Sequence, residues 1–312
     1  MKVVQINTYG GIDTLQINET EKPKASEGQV LVDVVAASLN PFDWKVREGY
    51  TKDYIKLEFP AILGGDFSGT IVEVDEKVAD FKIGDEVYGQ AASYGGGTGA
   101  FAGVLAASVN KIALKPKNIN FIEAASLPLV GVSSIQALEE HIELQAGQKI
   151  LIHGGAGGIG SIAVQIAKAL GAHVVATSNA QNVEYVKSLG ADDVIDYKNE
   201  NFEDKLSDFD AVFDTVGGEE SSKLIKILKR GGTIVSMSGQ PSEELAKEHE
   251  VTAIGQYTDG STQKLNRLKE LVEAGKVKAQ VDKVFSLDEI KEAFTRLEKN
   301  HPRGKVVLKI KE

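Results

Sequence analysis

The chain has 312 residues, 42% of them hydrophobic and 26% charged, which predicts two domains, each large enough to bury a core. It contains no cysteine, so disulfides, thiolate zinc sites, iron–sulfur clusters and a cysteine nucleophile are excluded, while the redox compartment stays open. A net charge of −10 argues against a broad nucleic-acid or anionic-membrane surface, because both are held largely by Lys and Arg. The start, Met1-Lys2-Val3-Val4-Gln5-Ile6-Asn7, lacks the apolar stretch of a secretory leader, and no run approaches the ~20 apolar residues of a membrane span. Cytoplasm is the expected location.

Up to about residue 120 the chain reads as β-rich. Short apolar stretches at 3–6, 30–35, 70–74, 86–88 and 104–107 are separated by turn clusters such as Glu27-Gly28 and Ile83-Gly84-Asp85. Their irregular spacing predicts a small closed or partly open barrel. The run Tyr94-Gly95-Gly96-Gly97-Thr98-Gly99-Ala100-Phe101 reads as a very flexible loop, either a lid over substrate or an exposed segment without function. Near Phe121 the character changes. From Lys149 onward, apolar runs at 149–153, 173–177, 193–196, 210–214 and 233–237 alternate with helical patterns, as in a parallel sheet with right-handed crossovers. In the first helix Ile159, Ile162, Ala163, Ile166, Ala167 and Leu170 repeat at helical spacing, and Gly171 ends it. After Val277 come a helix at 289–298 and a final strand at 305–310.

The strongest local feature is Ile150-Leu151-Ile152-His153-Gly154-Gly155-Ala156-Gly157-Gly158-Ile159-Gly160. Gly155, Gly157 and Gly160 satisfy G-x-G-x-x-G between an apolar strand and an amphipathic helix, which is the context a dinucleotide loop requires. Glycines let the backbone approach a pyrophosphate, and the helix N-terminus offers it free N–H groups. A tight strand–helix turn without ligand is the plain alternative. NAD-binding loops place Asp or Glu at the end of the second strand; this chain has Ser178 there. A small neutral donor favours NADP(H). The alternative is that Ser178 caps the helix expected at 182–189.

With Ala124-Ala125-Ser126-Leu127-Pro128 ahead of this loop and Leu189-Gly190-Ala191-Asp192-Asp193-Val194-Ile195-Asp196-Tyr197 behind it, the chain resembles the medium-chain dehydrogenase/reductase superfamily. Within that superfamily it resembles the zinc-independent quinone oxidoreductase and enone/alkenal reductase branch. Matching pieces are Ser38-Leu39-Asn40-Pro41-Phe42-Asp43, Gly64-Gly65-Asp66-Phe67-Ser68-Gly69, Asp214-Thr215-Val216-Gly217-Gly218 and Arg303-Gly304-Lys305-Val306-Val307. The resemblance implies an α/β chain. Residues 1–122 and 277–312 would form a GroES-like β-barrel catalytic domain, and residues 123–276 a Rossmann domain with a doubly wound parallel sheet. It also implies a homodimer joined through Rossmann edge strands. Zinc relatives have a metal-binding cysteine where Asn40 stands and Gly-His-Glu at Gly64-Gly65-Asp66. The four-cysteine lobe is missing, and His141, His153, His173, His249 and His301 lack ligand spacing. No metal is expected. Alcohol oxidation then loses its electrophile, whereas hydride addition to an enone needs only hydrogen bonds to the enolate oxygen.

Carried over residue by residue, the resemblance gives Gly155, Ala156, Gly157, Gly158, Ile159 and Gly160 to the pyrophosphate. Ser178 and Tyr197 match positions at the adenosine 2′-phosphate; Asn182 stands where relatives often have Lys. Val216 and Gly217 match a loop beside the nicotinamide ribose, and Ser238 and Gly239 lie near the nicotinamide. Asn40 and Lys45 line the floor of the catalytic cleft, as candidate catalytic groups. Relatives often have Tyr near Lys45; this chain does not, which leaves the donor to the substrate oxygen open.

Each candidate has a plainer reading. Lys45 holds the substrate oxygen or pairs with Asp43 or Glu48. Asn40 bonds substrate or fixes an Asn-Pro turn. Tyr50 and Tyr54 line a pocket or pack, and Trp44 is expected to be a partly buried structural aromatic. Ser133 and Ser134 touch cofactor or cap a helix. There is no Tyr-x-x-x-Lys and no Gly-x-Ser-x-Gly, so neither short-chain reductase nor hydrolase chemistry has candidates. The expected function is NADPH-dependent reduction of a small-molecule enone or alkenal, with quinone reduction as the alternative and a non-catalytic NADPH-binding sensor as the rival of another class.

Overall fold

The computed structural model describes residues 1–199, 206–218, 220–300 and 302–311, so His301 lies outside the described residues. Two units emerge: Met1–Leu129 with Gly260–Glu273 and Ala279–Glu312, and Val130–Asp259 with Ala274–Lys278.

The first unit opens with β1 (Lys2–Ile6), β2 (Gln16–Glu19), β3 (Gln29–Ser38), α1 (Pro41–Glu48), β4 (Ala61–Ile62), β5 (Asp66–Val74), β6 (Glu86–Gln90), β7 (Val104–Ser108), β8 (Ile112–Leu114) and α2 (Phe121–Ala125). Their pairings are antiparallel. Val30, Val32 and Val34 alternate along β3 and pack with Phe67, Ile71, Leu105 and Ile112 into one buried core. Three differences from the sequence reading stand out. The Asn-Pro pair opens a helix rather than a turn: Pro41 takes the first helical position, where its missing N–H costs nothing. The glycine-rich run is not loose. Gly97 N and Gly99 N donate to Ala92 O and Ala91 O at 3.1 and 2.8 Å, and Ala100 N to Gly64 O at 3.0 Å. A Cβ on Gly97 or Gly99 would lie 2.2 Å from Ala91 O or 2.5 Å from Ile62 O, so close packing explains these glycines. Tyr50 and Tyr54 are exposed rather than packed inside.

The second unit starts within α3 (Pro128–Ile135). It runs through β9 (Lys149–His153), α4 (Gly158–Ala169), β10 (His173–Ser178), α5 (Val183–Ser188), β11 (Asp193–Asp196), β12 (Phe209–Asp214), α6 (Glu220–Lys226), β13 (Leu228–Ser236), α7 (Glu243–Glu248) and β14 (Thr252–Gly255). The strand order is β11-β10-β9-β12-β13-β14 with every pairing parallel, the doubly wound dinucleotide-binding order with its reversal at β9. Ile150, Leu151 and Ile152 are wholly buried, as a central strand covered on both faces must be.

The chain then forms α8 (Thr262–Glu273), β15 (Val281–Ser286), α9 (Ile290–Lys299) and β16 (Lys305–Lys309), all in the first unit. β16 pairs antiparallel with β3, which ties the end of the chain to its beginning. The domain boundary expected at 277 places α8 with the parallel sheet. The structure places it in the first unit, because Thr262 Oγ1 donates to Val109 O and Ile112 O, both at 2.8 Å, and Tyr88 Oη donates to Leu265 O at 2.7 Å. Among the described residues no helix is long and apolar enough to cross a membrane.

Candidate functional site

In the second unit the candidate residues gather at the carboxyl ends of the parallel strands. β9 ends at His153 and turns through Gly154 at φ +88°, a left-handed conformation suited to glycine. Gly155 N donates to Thr177 O at 2.9 Å, tying the loop to the end of β10. Gly154 N donates to Thr177 Oγ1 at 3.0 Å, and that oxygen shares a hydrogen bond of 2.8 Å with His153 Nδ1. A Cβ on Gly155 would meet Ala176 Cβ at 2.9 Å, and one on Gly160 would meet Gly154 O at 2.1 Å. Packing explains both glycines. It does not explain Gly157, whose φ is −75° and whose Cβ would approach nothing closer than Gly154 O at 3.6 Å. Gly157 caps α4 without a side-chain hydrogen bond; Gly158 and Ile159 form the first turn.

The loop after β12 is held by a carboxylate that the sequence reading left unassigned. Asp214, fully buried, accepts from Val216 N at 3.0 Å and Gly217 N at 2.8 Å through Oδ1, and from Ser221 Oγ at 2.7 Å and Ser236 Oγ at 3.2 Å through Oδ2. Four donors satisfy both oxygens, which makes a buried carboxylate tolerable and the loop fixed. Ser238 Oγ donates to Val216 O at 2.9 Å, and a Cβ on Gly217 would lie 2.1 Å from Ser238 Cβ. Val216, Gly217 and Ser238 therefore form one small assembly, with Gly239 next in the chain and the Val216 side chain exposed. Ser178 is buried and its Oγ donates to Asn179 O at 3.1 Å; no cap bond from it to the next helix appears among the described residues, so the capping expectation is corrected. Tyr197 N donates to Ser178 O at 3.2 Å, bringing these two together. Asn179 Oδ1, at the same strand end, is buried without a partner among the described residues. Ser134 Oγ donates to Val130 O at 2.7 Å and Ser133 Oγ shares a bond of 2.7 Å with Thr258 Oγ1.

These residues fit a dinucleotide. The open Cβ direction at Gly157 and the uncapped N–H groups of α4 suit a phosphate, and the orphaned acceptor at Asn179 suits a ribose hydroxyl donor.

In the first unit the two candidate catalytic groups, Asn40 and Lys45, have different surroundings. Asn40 is buried at the head of α1. Its Nδ2 donates to Asp66 Oδ2 at 2.9 Å and its Oδ1 accepts from the Lys305 ammonium. Lys305 Nζ also donates to Leu39 O at 2.7 Å and lies 3.6 Å from Asp66 Oδ2. Gln90 Nε2 and Leu129 N each reach Asp66 Oδ1 at 3.2 Å. Asp43 Oδ2 accepts from Asn40 N at 2.7 Å. Burial pushes the Asp43 carboxyl up to about 7, against the Asn40 N–H and the Lys305 charge; Asp66 adds to the rise. Burial likewise lowers the Lys305 ammonium, against the attraction of Asp66 and Asp43. Desolvation raises the Tyr94 phenol, and both carboxylates reinforce the rise.

Lys45 is exposed one turn along α1, with Nζ 5.9 Å from the Trp44 ring centroid. No ion pair with Asp43 or Glu48 appears among the described residues; Glu48 takes Arg47 instead, at 2.6 Å. Trp44 is half-buried against the core, as expected. In sequence Asp66 figures only against the Gly-His-Glu of zinc relatives, and Lys305 only as part of a motif. A lysine heading the apolar run Val306-Val307-Leu308 was the available signal.

Two family models match the chain: an alcohol dehydrogenase GroES-like domain over residues 26–117, and a zinc-binding dehydrogenase model over residues 189–308. The 2-methylene-furan-3-one reductase of Solanum lycopersicum is 38% identical over 99% of this chain and 79% of its own length. The NADPH-dependent alkenal/one oxidoreductase of Arabidopsis thaliana has the same identity and coverage. The solved quinone oxidoreductase of Coxiella burnetii superposes with a TM-score of 0.92 at 35% identity, covering 100% of this chain and 99% of that one. The chain belongs to the zinc-independent quinone and enone reductase branch of the medium-chain dehydrogenases/reductases. In this medium-chain reductase no cysteine is available, and Asn40 and Asp66 are bound to each other within the Lys305 network.

Proposed function

We propose that this medium-chain reductase reduces the activated C=C bond of enones and alkenals with NADPH, without a metal. The observation that carries the reading is the likeness, along almost the whole chain, to two plant proteins named as reductases of such compounds. The strand-end residues that fit a dinucleotide, with no carboxylate at Ser178, support NADP(H). The bound cofactor supplies a hydride to the β-carbon. Negative charge then develops on the carbonyl oxygen, and the chain must oppose it with a donor. Both the oxygen of Asn40 and one of its amide hydrogens are engaged inside the fold, whereas the Lys45 ammonium is exposed. Lys45 is therefore the better donor in this reading, and solvent supplies the proton to the α-carbon. Quinone reduction is the second reading, favoured by the Coxiella burnetii protein.

The reading includes a homodimer. β14 is an edge strand of the parallel sheet, so a second copy could extend the sheet there.

The test is NADPH consumption by EDTA-treated protein offered a medium-chain enone and an ortho-quinone separately, with products identified by mass. Saturation of the enone C=C bond is the expected result. Turnover of the quinone alone moves the assignment to quinone reductase. Tight NADPH binding with neither substrate consumed sinks the reductase reading in favour of a sensor.

A further inference from the structure

Resting on the NADP(H) reading, we propose that Lys198 supplies the positive charge that holds the adenosine 2′-phosphate. A phosphate monoester carries about −1.5 to −2 charges near neutrality, and the chain as a whole is acidic, so the site needs a local cation. In a doubly wound sheet the adenosine ribose lies at the end of the second strand, here β10. From Ser178 through Asn179, Ala180, Gln181 and Asn182 to Val183 there is no Lys or Arg. The neighbouring strand end provides one. β11 runs parallel to β10 with Asp196 opposite Ser178, and Tyr197 N donates to Ser178 O at 3.2 Å. The turn that follows is thus seated against the end of β10.

That turn is built so that its acidic residue faces inward and its basic residue outward. Asp196 is buried; its Oδ1 accepts from Lys198 N at 3.2 Å and its Oδ2 from Asn199 Nδ2 at 2.6 Å, while Asn199 N donates to Asp196 O at 3.1 Å. The carboxylate is occupied with holding the turn. The Lys198 side chain is exposed, and among the described residues no carboxylate pairs with it. Other lysines of this part of the unit are engaged: Lys187 lies 3.6 Å from Glu184 and Lys168 lies 2.6 Å from Asp192. Next to Lys198 in the chain stands the half-exposed Tyr197. A compact ammonium on a flexible stem serves a phosphate as a point charge and does not demand the fixed geometry of a guanidinium.

The test is calorimetric titration of the full chain with adenosine 2′,5′-bisphosphate and with adenosine 5′-monophosphate, which differ only in the 2′-phosphate. Lys198→Gln is expected to weaken the bisphosphate by about tenfold or more, the scale of one charge-assisted hydrogen bond, and to leave the monophosphate within about twofold. Lys198→Arg should keep most of the preference, and Lys187→Gln should change neither ligand. If Lys198→Gln weakens both ligands equally or neither, the assignment of Lys198 is wrong although NADP(H) preference stands. If the unmodified protein itself fails to prefer the bisphosphate, the NADP(H) reading falls and this inference falls with it.

Discussion

Asp43 carries the clearest consequence of a single residue's surroundings. Its ordinary value is 3.8, and burial, with a smaller contribution from Asp66, pushes it up to about 7 against the Asn40 N–H and the Lys305 charge. Between those values the folded chain holds a proton that the unfolded chain releases. Stability from this group is therefore full below 3.8 and lost as pH rises through about 7. Asp43→Asn keeps an oxygen for the Asn40 N–H and removes the titration. The stability difference between wild type and Asp43→Asn, measured by urea unfolding, should move against wild type between about pH 4 and about pH 7 and level off above. A difference independent of pH would show that Asp43 is ionised throughout. Lys45→Met tests the donor assignment at the same scale. Enone turnover should fall about 10- to 100-fold while NADPH binding holds, because only the developing oxyanion needs the ammonium.

At the scale of the element, the β9–α4 turn separates two kinds of glycine. Gly160 permits the helix to cross the loop closely, since a Cβ would lie 2.1 Å from Gly154 O. Gly160→Ala should destabilise the chain by about 1–3 kcal/mol in thermal or urea unfolding, the usual cost of overpacking. Gly157 has ordinary φ and open space. Gly157→Ala should cost about 1 kcal/mol of stability, the penalty of Ala at a helix cap, yet weaken NADPH by about tenfold or more in a fluorescence titration, since the backbone can no longer reach the pyrophosphate. Equal NADPH affinity in Gly157→Ala would remove the phosphate from this loop.

For the whole molecule, the proposed dimer meets an obstacle at the sheet edge. Gln256 N bonds inward to Ser236 O at 2.8 Å, so Ala253 and Gly255 present their backbone groups outward. Gln240 already takes two of those groups, with Nε2 3.0 Å from Ala253 O and Oε1 2.8 Å from Gly255 N. The side chain imitates a neighbouring strand and protects the edge. If dimers join through β14, Gln240→Ala should shift the monomer–dimer equilibrium toward dimer in sedimentation analysis. An unchanged equilibrium would place the seam elsewhere.

Sequence alone determined the parts governed by local periodicity and by backbone chemistry. Apolar runs alternating with helical patterns specified the parallel sheet, since a strand buried on both faces must be continuously apolar, and the glycine spacing marked the strand–helix turn because few other residues permit it. The lack of cysteine, with Asn40 and Asp66 in the motif positions, disposed of a thiolate metal site. Other features depended on partners far apart in the chain. The apolar run that Lys305 heads marks a strand but not the lysine's surroundings; its burial follows from β16 pairing with β3, which sets it beside Leu39 and Asn40. Gly97 and Gly99 read as freedom, and only the backbone of Ala91 and Ile62 turns them into tight packing. Likewise α8 reads as part of the parallel domain until Tyr88 and Val109 claim it. Periodicity records which face of an element is buried. Which distant residue supplies the burial, and so which charges meet, was decided by tertiary structure.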